Sequence, residues 1–209
     1  AKGGRVMLAW HFLAEDKRLG YGDGRLVEVG QTLECEGEPE LCNNGLHGSA
    51  RLIDALRYAS GPIVCRVEID GDVIEGEDKL CGRRRTVLWM VDATRILHEF
   101  VCQCAEDALA LVEQPDARSV AAIEAKRKWL DGKITDKELA VAWAAAWDVA
   151  WAASWDAAWA ARAAARAARD AAWSASRAAA WDVAGDDALD KQNKRLTAMV
   201  MEAHEKESK

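Results

Sequence analysis

The chain has 209 residues, 50% of them hydrophobic, with 28 Lys and Arg against 35 Asp and Glu and a formal net charge of -7. Contact with a phosphate backbone needs a dense basic face, so this balance excludes a general nucleic-acid binder. The length is enough to bury a core without disulfide or metal staples. Six cysteines, at 35, 42, 65, 81, 102 and 104, form no CxxC pair and no secretory segment precedes them, so a reduced, cytoplasmic setting is the expectation.

Residues 6–13, VMLAWHFL, are a short apolar run suited to a buried strand that carries Trp10 and His11. Residues 19–24, LGYGDG, read as a glycine-punctuated turn, and RLVEVGQTLEC after them alternates like a half-buried strand. In CNNGLHGSARLIDALRYAS, Leu46 and His47 form a very short strand. Ser49 is the expected N-cap of a helix bearing Leu52, Ile53, Leu56 and Tyr58. IVCRVEIDGDVIEG reads as two strands joined at Asp70-Gly71, a hairpin signal. RRRTVLWMVDA is a further strand, and ILHEFVCQC extends it or follows as one more. CAEDALALVE is helical and stops before Pro115.

Strands with one short helix, then helices alone, predict an α+β domain over 1–115 with a small mixed or antiparallel sheet, followed by an all-α region over 116–209. Its helices are expected at about 117–131, 136–184 and 186–206. Thr135 with Glu138 makes a capping box, in which side chain and backbone satisfy each other's donors at a helix start. From there an Ala-rich run carries tryptophan every four residues at Trp143, Trp147, Trp151, Trp155 and Trp159, then Trp173 and Trp181, with no glycine before Gly185. A continuous helix over 141–183 would be roughly 65 Å long. A four-residue step advances the stripe by about 40° per tryptophan. A single straight neighbour therefore cannot cover every ring, and a row of this size cannot stay in water. The run carries Asp148, Asp156 and several arginines, so it is not a membrane span. The seam predicts self-association or docking on another protein.

The segment Gly45-Leu46-His47-Gly48-Ser49, with Tyr58 eleven residues after His47 and a strand at Ile63 to Val67, resembles the Gly-Ile-Tyr-Phe-Ala and Ser-x-x-Tyr region of poly(ADP-ribose) polymerases and related ADP-ribosyltransferases. Trp10-His11 is similar to that fold's early-strand histidine motif. The resemblance implies an ADP-ribosyltransferase-like fold in which His11 holds a ribose, Tyr58 stacks on nicotinamide and His47 stands where the family has another tyrosine. It also implies a late-strand glutamate that stabilises an oxocarbenium-like transition state. Its expected position falls near Val87, and no Glu occurs between Asp78 and Glu99. Residues 5–113 also resemble a small domain of unknown function found in phage and prophage proteins.

His11, His47, Tyr58, Arg84 and Arg85 are thus the candidate nucleotide-binding residues, the arginines because guanidinium matches phosphate geometry. A solvated strand start beside acidic residues explains the arginines more simply. His98, Cys102 and Cys104 with Cys81 are a conceivable zinc set, but CxC is not a usual zinc spacing. Two cysteines on one strand face act as small core hydrophobes, so no metal is expected. Two readings follow. The first is an interaction protein of phage or prophage origin, without a cofactor, that oligomerises or binds a host defence factor through the Ala/Trp helix. The second is an ADP-ribosyltransferase or NAD-processing enzyme in which Glu75 or Glu77 supplies the missing carboxylate.

Overall fold

The computed structural model describes residues 5–20, 22–111, 113–142, 144 and 176–208. They fall into two compact units, Ala1–Leu97 with Lys191–Lys209, and His98–Asp190. The fold is α+β, with antiparallel sheets followed by helices.

The first unit contains β1 (Met7–Leu13), β2 (Thr32–Glu34), β3 (Leu46–Gly48), α1 (Leu52–Leu56), β4 (Ile63–Asp70), β5 (Ile74–Glu75), β6 (Leu80–Gly82) and β7 (Arg84–Asp92). One sheet has the order β1-β4-β7-β2 and a smaller one the order β3-β6-β5, every pairing antiparallel. Cross-strand partners share a face. His11 pairs with Cys65 and Cys65 with Met90, while Met7 pairs with Ile69 and Ile69 with Arg85. These residues therefore lie on one face of the larger sheet. The pairing slips between Arg66 and Val67, leaving Leu88 as a bulge that keeps Val87 and Met90 on that same face.

That face carries the main core, including Ala9, Leu13, Cys65, Val67, Ile69 and Val87, and Leu46 and Leu80 of the smaller sheet join it. The two sheets meet closely at Gly48. A Cβ there would stand 3.0 Å from both Ala9 Cβ and Ile69 Cδ1. The end of β3 is then tied to β1 by paired backbone bonds between Trp10 and Ser49, at 2.8 and 2.9 Å.

The opposite face presents Trp10, Val64, Arg66, Trp89 and Val91. The last part of α4 (Ser176–Glu207) belongs to this unit from Lys191 onward. Leu196 and Val200 are fully buried, and His204, one helical turn further, stacks on Trp89 at 4.1 Å and 8°. Trp89 in turn meets Trp10 edge-on at 5.6 Å, and the Arg66 guanidinium lies 4.5 Å over the Trp10 ring. Asn193 Oδ1 accepts the Ile53 amide at 3.1 Å, so α4 also satisfies a donor in the first turn of α1.

The second unit continues α2 (Thr94–Leu109) and contains α3 (Ala117–Leu130). Asp116 caps α3 by accepting the Arg118 amide at 2.8 Å. The capping box forms as expected: the Thr135 amide donates to Glu138 Oε2 at 2.8 Å and the Glu138 amide to Thr135 Oγ1 at 3.3 Å. Arg127 grips Glu106 through two bonds of 2.6 Å, and Trp129 meets His98 edge-on while donating to Asp136.

Four expectations are corrected. ILHEFVCQC is not a strand but part of α2, which starts where Asp92 Oδ1 accepts from the Thr94 amide and hydroxyl. A short apolar run reads as strand or helix alike, and the Asp92 turn decides it. Ser49 does not cap α1, whose cap position is Arg51 with no side-chain bond, because Ser49 is held by Trp10. The turn at Asp70-Gly71 exists, but the strand after it pairs with β6 and not with β4. That turn passes the chain from one sheet to the other. Gly185 does not end a helix, since α4 runs through it. Trp143, Trp147, Trp151, Trp155, Trp159 and Trp173 lie outside the described residues, and Trp181 is described only by its backbone within α4. Among the described residues no helix is long and apolar enough to cross a membrane.

Candidate functional site

A cleft of about 580 Å³ in the first unit is lined by His11, His47, Tyr58 and Arg85, together with Asp23, Arg25, Cys35, Cys42 and Lys79. Four of the five candidates named from the sequence therefore share one cavity. Arg84 does not line it: side chains alternate along a strand, so neighbours on β7 face opposite ways. Arg84 is exposed and bonds Asp70 at 2.5 Å. Arg83 likewise pairs with Asp72 and Glu38.

Arg85 is the unusual member, only 2% exposed and flanked across the sheet by Leu33 and Ile69. Its Nη1 donates to the His47 carbonyl at 2.7 Å, while buried Nε and Nη2 have no hydrogen-bond partner among the described residues. Burial pulls its pKa down to about 10, which leaves it cationic at neutral pH. The carboxylate of Asp23, which lines the same cleft, is already engaged: Arg25 Nε and Nη2 bond Asp23 Oδ1 and Oδ2 at 2.7 Å each, and that pairing holds Asp23 below the usual carboxylate range.

His11 is neutral. Burial lowers its pKa well below the ordinary imidazole value, and the Arg85 and His47 charges lower it further. His47 is fixed by its loop. The Cys42 amide donates to Nε2 at 3.2 Å, so the proton sits on Nδ1, which faces the Gly45 carbonyl at 3.0 Å. Gly45 adopts φ +121° and Cys42 φ +66°, a backbone bend that brings both groups round the ring. Both ring nitrogens are thus committed, and a ligand meets His47 through its ring face.

Tyr58 stands at the rim. Its hydroxyl donates to Asp78 Oδ2 at 2.5 Å, and Lys79 Nζ lies 4.4 Å over its ring. Cys42 first, and then Tyr58, raise the Lys79 pKa. Asp23, Arg25, Cys42 and Lys79 were not singled out by sequence. The glycine-rich loop before Arg25 is a weak signal for the first pair, and no spacing marks the others.

Val87, where the implied glutamate would fall, is buried in the core. Neither Glu75 nor Glu77 lines the cleft; Glu75 is paired with Arg5. Cys81 and Cys102 are buried and His98 packs on Trp129, and among the described residues no three metal-ligating side chains cluster. No curated protein and no solved structure matches the chain. Residues 7–99 match the family model described as a domain of unknown function (DUF7666), so the expected domain of unknown function is present, over a span ending at 99 instead of 113.

Proposed function

We propose that the chain is a ligand-binding interaction protein: the α+β unit holds a nucleotide in its cleft, and the Ala/Trp run associates with a second copy or a host protein in the cytoplasm. One observation carries the ligand reading, the convergence of His11, His47 and Tyr58 on one cavity of about 580 Å³. That volume lies within the range of small-molecule sites. The Tyr58 ring and the free face of His47 offer planar surfaces, and neutral His11 offers a hydrogen-bonding group to a sugar hydroxyl. The resemblance to ADP-ribosyltransferases makes NAD the first ligand to try.

Binding without transfer is the better-supported form of this reading. Stabilising an oxocarbenium-like centre needs a carboxylate at the ligand. Among the described cleft residues the carboxylate is Asp23, and both its oxygens are taken by Arg25. Calorimetry with NAD and AMP tests the ligand, with micromolar binding expected and loss in Tyr58→Ala. No heat with either would end the nucleotide reading. Label transfer from NAD to a host lysate would instead support the enzyme and overturn binding alone. For the Ala/Trp run, light scattering is expected to show an oligomer that Trp147→Ala or Trp151→Ala weakens. A strict monomer at micromolar concentration in both would remove its self-association role.

A further inference from the structure

We propose that Arg85 is the anion anchor of the cleft, gripping the phosphate of a bound nucleotide through its Nε–Nη2 edge; the inference rests on the ligand-binding reading above and deepens it. Nε–H and Nη2–H of a guanidinium point the same way and form a parallel fork that fits two oxygens of one acid group. The cleft contains that fork twice. At Arg25 it is filled, each nitrogen 2.7 Å from an Asp23 oxygen. At Arg85 the same two atoms are empty and buried.

Position excludes an ordinary structural explanation. Arg85 stands on the apolar face of the sheet between Leu33 and Ile69, where Nε and Nη2 are shut off from bulk solvent and no described protein group accepts from them. A buried charge without a matched acceptor is unfavourable, and an apolar residue of similar size would fit such a face better. Its bond to the His47 carbonyl uses one nitrogen and leaves the charge unbalanced. Among the described residues lining the cleft, Arg25, Lys79 and Arg85 face a single carboxylate, Asp23, although the whole chain is acidic. The missing partner is an anion. Arg85 already lines the cavity, and a rotamer change is the movement that the grip requires of its buried fork. The rings of Tyr58 and His47 then lie beside the anion, as a phosphate attached to a planar base requires.

The test uses the full chain, titrated with AMP, adenosine and inorganic phosphate, following melting temperature and calorimetric affinity in the wild type, Arg85→Met, Arg85→Lys and Arg84→Met. The expected result is that AMP and phosphate stabilise the wild type in a saturable way. Arg85→Met loses at least ten-fold in affinity for both. Arg85→Lys, which keeps the charge but not the fork, also loses AMP affinity, and Arg84→Met behaves as wild type. Arg85→Met without ligand is expected to melt no lower than the wild type. A fall of more than about 5 °C there, or AMP affinity unchanged in Arg85→Met, would overturn the assignment. If adenosine binds as tightly as AMP and neither responds to Arg85→Met, the anchor fails while the nucleotide reading stands. If phosphate binds through Arg85 and adenosine adds nothing, the anchor stands and the nucleotide reading fails.

Discussion

The two faces of the four-stranded sheet are finished in opposite ways. On one, the end of α4 seals the surface: Leu196 and Val200 are wholly buried, His204 lies flat on Trp89, and Asn193 takes up a free amide of α1. On the other, a charged residue stands in the middle of an apolar face with two donors unmatched, beside an open cavity. The first arrangement pairs most of its groups within the chain, Arg66 Nη1 excepted, and contributes stability. The second leaves two donors of Arg85 unpaired within the described chain, and under the proposed anchor this is how binding sites trade stability for recognition.

The sealed face predicts the largest effects. Leu196→Ala removes a fully buried side chain and is expected to destabilise the first unit by about 2–5 kcal/mol, read from urea unfolding. A loss under about 1 kcal/mol would mean that α4 contributes little to closing this face. The aromatic stack is worth less. In a double-mutant cycle, Trp89→Ala and His204→Ala should share a coupling of about 0.5–1.5 kcal/mol, since the rings lie nearly parallel in contact. Additive losses would show that each ring is stabilised by other neighbours.

Much of the open face was legible in the sequence, and the sealed face was not. The strands with His11 and Cys65 announce themselves as apolar runs, and the Thr135–Glu138 box is recognisable because both its partners are local in sequence. His11, His47 and Tyr58 could be brought together by resemblance to a known arrangement. Arg83, Arg84 and Arg85 look alike in sequence. Two of them find acidic partners on the surface and one turns inward, and only the pairing with Leu33 and Ile69 decides which. The docking of α4 depends on a sparse stripe at 196, 200 and 204, whose meaning exists only once Trp89 is opposite it. Gly185 misled for the same reason: glycine weakens a helix by about 1 kcal/mol, which flanking residues can override.

Acid distinguishes the faces next. An unfolded histidine takes up its proton near pH 6.5, whereas buried His11 on the open face resists protonation to well below that value. Between those points the unfolded chain binds more protons, so stability falls as pH drops from about 7 toward 5. His47 and His98 are lowered too and contribute the same sign. His11→Gln should therefore flatten the slope in part. Asp23, Asp78 and Asp92, each held below the usual carboxylate range, add their loss only in stronger acid, below about pH 4. An unchanged slope between pH 5 and 7 in His11→Gln would mean that His11 takes up its proton as readily in the folded chain.

The smallest expected change tells the two faces apart most sharply. Arg85→Met in the ligand-free protein deletes a buried charge and one 2.7 Å bond to the His47 carbonyl while keeping most of the side chain's length. The lost bond to a charged donor is worth about 1.5–3 kcal/mol. Removing an uncompensated buried charge returns a similar or larger amount, since replacing even paired buried ions by apolar groups is often neutral or stabilising by about 1–4 kcal/mol. The two nearly cancel, so thermal unfolding should move by no more than about 1 kcal/mol, toward greater stability if at all. Substitution of Trp89 or His204 on the sealed face would behave differently, because there each removed ring leaves its stacking partner uncovered. A marked loss of stability in Arg85→Met would mean that the open face, too, is finished from within the chain.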